Sequence, residues 1–336
     1  MRAFNKNETD TPAETPAAVP GTVSPRTRTA KPSRRRGDQA AHLITMLFAA
    51  SIILLTAWLF FELYANALPT REKFGWHFLE GTTWDPVALE FGALPFIYGT
   101  LVTSALALLI GVPLGVGAAM FLAELAPPRL SDGLAFIIEL LAAVPSVIYG
   151  LLAIFTLVPF VRDYLAPLLR TTLGFLPIFQ GPAYGLSFLA GGIILAIMVL
   201  PFIISISREV LLSVPREQRE ASLALGATRW ETAWQVVIPY ARTGIIGSIF
   251  LALARALGET MAVTMVIGND PRIKASLFAP GYSIAAVIAN EFSEATSAMH
   301  TSALIELGFV LFCITILVNA VARVLISTMN SRNSAA

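Results

Sequence analysis

The chain has 336 residues, of which 56% are hydrophobic and only 13% charged, with a net charge of +1 and a mean hydropathy of +0.71. A soluble globular domain carries about a quarter charged residues, so this composition excludes an ordinary soluble fold and points to a bilayer as part of the solvent. The lone cysteine, Cys313, excludes an internal disulfide framework and a cysteine-based metal cluster.

Residues 1–39 are rich in Pro, Thr, Ala and Arg and nearly free of large apolar side chains. Such a segment buries too little surface to offset its ordering entropy and reads as a disordered cytoplasmic tail. Its basic cluster (Arg26, Arg28, Lys31, Arg34, Arg35, Arg36) reads as a topology anchor beside a membrane helix, not as a nucleic-acid patch. The first apolar run follows without a short signal-peptide core or cleavage site, so it reads as a retained helix.

Residues 40–330 then read as an all-α, polytopic membrane domain with six transmembrane helices. Hydropathy puts the spans near 41–64, 96–122, 134–158, 187–206, 241–267 and 302–326. Helices are required because a hydrocarbon layer offers backbone groups no other partner. Pro113, among Gly111, Gly115 and Gly117 in the second span, reads as close helix packing with a kink. Pro145 and Ser146, in the third, would interrupt the backbone ladder, leaving amides that could line a polar path or only a kink. The run 173–185 (LGFLPIFQGPAYG) has the Gly and Pro density of interfacial or re-entrant chain. Sixteen Lys and Arg residues fall on the side of the N-terminus and six on the other, so both termini are expected in the cytoplasm.

The loop 213–239 (SVPREQREASLALGATRWETAWQVVIP) is the most informative segment. It predicts two short helices outside the bilayer. Pro215 suits a first helical turn, Gly226 a C-terminal stop, and Thr228 with Glu231 a capping box opening the second helix. The first helix mixes Arg216, Glu217, Arg219 and Glu220 with Ala221, Leu223, Ala224 and Leu225. Such a helix suits docking into another protein's groove or lying on the inner leaflet.

In the fifth span, Arg255 and Glu259 are ionisable groups inside the membrane, four residues apart on one helical face. A central arginine costs about 3 kcal/mol even on lenient insertion scales, so it needs a partner or water. Its planar fork matches the oxygens of a phosphate-like anion. The expectation is that Arg255 meets a translocating anion and Glu259 tunes or gates it; a structural ion pair between helices fits the same residues. His42, His77 and His300 are scattered near membrane borders without metal-ligand spacing. No metal site, no catalytic constellation and no G-x-x-x-x-G-K-[ST] phosphate cradle is present.

Glu220-Ala221-Ser222, then Gly226, then Val236-x-Ile238-Pro239 resembles the E-A-A-x3-G-x9-I-x-L-P loop of ABC importer permeases. Its departures are Ser222 for alanine, Val236 for isoleucine and Ile238 for leucine. The strings WDPVALEFGALPFIYGTLVTS, AAVPSVIYGLL and ARALGETMAVTMVIGN extend the likeness over nearly all of residues 75–326, where the chain resembles the C-type permease subunit of phosphate-specific Pst importers. The resemblance implies a type I ABC importer permease fold in a bacterial cytoplasmic (inner) membrane. It also implies that Glu220, Ala221, Ser222, Gly226 and Pro239 form the ATPase-coupling loop, with Glu220 and Ala221 in contact and Gly226 allowing the turn. The implied partners are an A-type permease subunit, an ATPase dimer and an extracytoplasmic phosphate-binding protein. No cofactor is expected in this chain itself, ATP and Mg being held by the ATPase. A secondary transporter or anion channel driven by an ion gradient, and more remotely an intramembrane enzyme, are the competing classes.

Overall fold

The computed structural model describes residues 36–333, and side chains over residues 38–328. The tail read as disordered therefore lies, over residues 1–35, outside the described residues, and its last four residues already belong to a helix. Two compact units are distinguished, one ending at Leu55 and one from Thr56 onward.

Helix α1 (Arg36–Asn66) begins in the first unit, where its apolar side chains are exposed. The second unit continues with α2 (Leu68–Phe74), α3 (His77–Glu80) and a two-stranded antiparallel hairpin, β1 (Trp84–Asp85) and β2 (Glu90–Phe91), that pairs Trp84 with Phe91. Next come α4 (Leu94–Met120), α5 (Pro128–Ala142), α6 (Ser146–Leu152), α7 (Val158–Phe160) and α8 (Ala166–Leu173). The remainder is α9 (Phe188–Leu212), α10 (Arg216–Ala224), α11 (Arg229–Thr232), α12 (Ile238–Leu257), α13 (Met261–Ile267), α14 (Ile284–Glu291) and α15 (Ala298–Asn333).

Among the described residues, six helices are long and apolar enough to cross a membrane: Asp38–Asn66, Leu94–Leu125, Ser146–Leu173, Phe188–Leu212, Arg229–Leu257 and Ala298–Thr328. Several join two of the named elements through a π-helical turn. Such turns occur at Phe121–Leu125, Ala153–Leu157, Val161–Leu165 and Ala233–Val237. Each is followed two residues later by a proline: Pro127, Pro159, Pro167 and Pro239. Proline has no N–H and crowds the carbonyl a turn back, and a widened turn relieves that crowding without ending the helix. At Pro127 the helix does end.

Two of the expected spans are corrected. The third was expected at 134–158, but the helix that crosses is Ser146–Leu173. Pro145 keeps Val144 out of the helical region, so α5 stops at Ala142. At 15 residues, or about 22 Å, α5 is too short for a hydrocarbon core of about 30 Å. The crossing helix runs on past Arg162 because that guanidinium is neutralised by its neighbour, donating to Asp163 at 2.7 and 3.0 Å. Arg162 and Arg170 thus lie on a helix, not in a loop. The fifth span was expected at 241–267, but the crossing helix is Arg229–Leu257, and α13 is a separate piece beyond a break at Gly258–Thr260.

Helix α9 is the core of the second unit, packing most extensively on α4 and also on α5, α12 and α13. Small residues allow the close approach. A Cβ at Gly115 would sit 2.7 Å from Ile203 Cγ2 and one at Gly111 3.2 Å from Val199 Cγ2, and α4 stays helical through Pro113. Here glycines beside a proline serve helix packing. The run 173–185 is irregular, with one 3-10 turn at Pro177–Phe179. Residues 268–283 are tied by backbone bonds to the start of α9, Phe188 N donating to Ala279 O and Leu189 N to Leu277 O.

Candidate coupling and translocation site

Helix α10 is where the sequence placed the coupling loop, and its two faces differ. Arg216, Glu217, Glu220, Ala221 and Ala224 are exposed, whereas Arg219 and Ser222, three apart on the other face, are partly covered. Pro215 is the residue before the first turn, not within it. The helix ends on Gly226, whose φ of +91° is a left-handed conformation that costs glycine nothing. Leu225 just before it is 90% exposed.

Thr228 accepts from Glu231 N at 3.2 Å, while Glu231 Oε2 accepts from Thr228 N at 2.8 Å, completing the expected capping box. What it opens is not a second short helix. Residues from Arg229 run without a break into α12, so the loop's second half is the beginning of the fifth crossing helix. Pro239 lies there, after the π turn, and not on the exposed face of α10. Its part in coupling would be to shape that junction.

The covered face of α10 makes contacts that local sequence reading missed. Arg219 lies between the ends of two crossing helices. Its Nη2 donates to Glu124 Oε1 at 2.8 Å and to Leu211 O at 2.8 Å, its Nε reaches both Glu124 oxygens at 3.2 Å, and its Nη1 donates to Val214 O. Ser222 Oγ shares a hydrogen bond with Thr232 Oγ1 at 3.0 Å. The departure of Ser222 from alanine in the motif thereby fastens α10 to the fifth crossing helix. The hydroxyl and acidic groups were visible in the sequence, but the separations of 95 and 10 residues hid the pairings.

The second group lies at the break between α12 and α13. Arg255 is in the last turn of α12, exposed, and among the described residues no carboxylate pairs with it. Its guanidinium lies 6.0 Å from the centre of the Phe202 ring and within electrostatic reach of Tyr149 on α6. Glu259 is not on the same helix, contrary to expectation, because α12 ends at Leu257. Its Oε1 accepts from Ala262 N at 3.3 Å, at the start of α13. Helix α6 packs on α13, where a Cβ on Gly150 would lie 3.0 Å from Ala262 Cα. Pro145 and Ser146 start α6, one turn before Gly150.

Other polar clusters lie elsewhere. Arg71 and Glu306 form a largely buried pair at 2.7 Å, with the guanidinium over the Tyr64 and Phe309 rings; Glu306 is a buried carboxylate on the crossing helix Ala298–Thr328. His300, expected at an interface, is buried and shares a hydrogen bond with Glu291 at 3.1 Å, which also accepts from Trp84 Nε1 at 2.8 Å. Among the described residues, no group of His, Cys, Asp and Glu is arranged to hold a metal ion.

Residues 111–332 match the family model described as a binding-protein-dependent transport system inner membrane component. The chain is 46% identical over 302 residues to the phosphate transport system permease protein PstC of Mesorhizobium japonicum, covering 89% of this chain and 92% of the relative. It is 50% identical over 262 residues to the protein of that name from Xylella fastidiosa, covering 77% and 81%. Among solved structures, a bacterial ABC transporter involved in the import of the acidic polysaccharide alginate aligns with a TM-score of 0.54 at 17% identity, covering 85% of this chain and 96% of that one. An inward-facing MetNI methionine ABC transporter aligns with a TM-score of 0.51 at 16% identity, covering 70% and 96%. At those identities the likeness is one of fold.

Proposed function

The chain belongs to the binding-protein-dependent transport system inner membrane components, and we propose that it is the permease subunit of an ATP-driven importer of inorganic phosphate. It is a multi-pass membrane protein with an ABC importer permease fold. In this reading it forms half of the translocation pathway beside an A-type permease, receives phosphate from an extracytoplasmic binding protein, and keeps both termini in the cytoplasm. ATP and Mg belong to a separate ATPase dimer, and this chain is a transport subunit, not an enzyme.

The observation that carries the reading is the exposed face of α10. Glu220, Ala221 and Leu225 stand outward at the foot of the bundle while the opposite face is tied to the crossing helices. Closure of the ATPase dimer would pull on that face and reorient the helices around the α12–α13 break. There Arg255 would meet the anion through its guanidinium fork, and Glu259 would keep the anion from binding too firmly to leave. Pro145 and Ser146 would border the same path. The names of the relatives support phosphate as the substrate.

Reconstitution tests this directly. Proteoliposomes holding this chain with its permease partner, the ATPase and the binding protein should accumulate phosphate only when ATP is supplied. Phosphate uptake by this chain alone, driven by an ion gradient, would overturn the reading in favour of a secondary transporter.

A further inference from the structure

We infer that Arg219 is a positioning residue that transmits the movement of α10 to the second and fourth crossing helices, acting through Glu124 and the C-terminus of α9. This rests on the reading of the chain as an ATP-driven permease and goes beyond it by naming how the covered face of the coupling helix grips the bundle.

The geometry is that of a strut. Glu124 closes the crossing helix Leu94–Leu125, Leu211 is in the last turn of α9, and Val214 lies just past it. The guanidinium bridges all three, with side-chain exposures of 19% for Arg219 and 10% for Glu124. Carbonyls at a helix C-terminus lack intrahelical donors and carry the negative end of the helix dipole, so a cation placed there is held by both effects. A bidentate approach to the carboxylate adds directionality that a flexible ammonium lacks. Arg219 faces inward while Glu220, its neighbour in sequence, faces outward. A pull on the outer face of α10 therefore reaches two crossing helices through one side chain. Ser222 reaches the fifth through a neutral and weaker bond.

A strut has a consequence that a merely stabilising contact lacks. If it is loosened, the ATPase can still close and hydrolyse while the permease follows less faithfully. The test uses the complete transporter in proteoliposomes, comparing wild type with Arg219→Lys, Glu124→Gln and Arg219→Ala at equal amounts of assembled complex. Phosphate uptake and ATP hydrolysis are measured together. The expected result is severalfold more ATP hydrolysed per phosphate imported for Arg219→Lys and Glu124→Gln, and roughly tenfold or more for Arg219→Ala. Uptake and hydrolysis falling in the same proportion in all assembled variants, or remaining unchanged, would overturn the strut. So would failure of all three to assemble, since the contact would then serve folding. A wild-type complex without ATP-driven phosphate uptake would overturn the underlying reading itself, an outcome distinct from wild-type uptake with variants of unchanged coupling.

Discussion

Arg255 and Glu259 stand on opposite sides of a helix break, the guanidinium in the last turn of α12 and the carboxylate bonded to Ala262 N at the start of α13. The chain interrupts its backbone at Gly258, and each charge sits where the local dipole favours it: a cation at a C-terminus, an anion at an N-terminus. That arrangement holds both side chains near one interruption without pairing them. With no carboxylate paired to it among the described residues, the Arg255 guanidinium keeps its charged donors for an anion from elsewhere.

Replacing that arginine is the most direct probe of the path. Arg255→Ala should reduce phosphate uptake by at least tenfold while the complex still assembles, since a charge-assisted hydrogen bond contributes about 1.5–3 kcal/mol. Arg255→Lys should recover only part, because an ammonium cannot present the planar fork. Uptake per assembled complex decides the matter, and full activity in both variants would remove Arg255 from the pathway.

Glu259 should behave differently. Glu259→Gln retains an oxygen to accept from Ala262 N but loses the charge that opposes a neighbouring anion. Steady-state uptake should then show a lower KM together with a lower maximal rate, each by severalfold, as the anion enters readily and leaves slowly. A variant with both constants unchanged would reduce Glu259 to a capping residue.

How far these features could be read in the sequence depended on distance along the chain. The capping box of Thr228 and Glu231 and the stop at Gly226 are local signatures, and both are found. Hydropathy counted six crossings, because long apolar windows dominate any sum. It misplaced the third because it weighed the charges of Arg162 and Asp163 singly, whereas they neutralise each other, and because the break at Pro145 divides one apolar window between two helices. The pair of Arg219 with Glu124 spans 95 residues and that of Arg71 with Glu306 spans 235. No periodicity reports such partners; only the packing of helices brings them together.

The loop 268–283 carries the clearest acid sensitivity. The hydrogen bonds from the Arg272 side chain hold the Asp270 carboxyl down from 3.8 to about 2, burial opposing them and Lys274 assisting. A depressed carboxylate contributes stability that is complete above its unfolded pKa and is lost as pH falls through the folded one. The loop's protection against backbone exchange, taken relative to the intrinsic rate at each pH, should therefore hold steady down to pH about 4 and fall between about 4 and 2. Asp270→Asn should exchange faster already at neutral pH and lose that dependence. Hydrogen-exchange mass spectrometry on the complex measures both, and an unchanged profile in the variant would assign the acid response to another carboxylate.

Gly226 separates the folding of the coupling loop from its movement. Its φ of +91° lies in the left-handed region, yet a Cβ there would meet nothing within 4 Å. Gly226→Ala therefore carries only backbone strain, about 1 kcal/mol, and should lower uptake less than twofold with the complex intact. Gly226→Val adds β-branching to the same strained backbone and should favour a different exit from α10, turning Leu225 away from where it now projects. Binding of the ATPase to the assembled permease should then weaken by about tenfold, matching a cost of about 1.4 kcal/mol. Equal ATPase affinity for wild type and Gly226→Val would mean that the turn guides the chain back to the membrane but does not aim α10 at its partner.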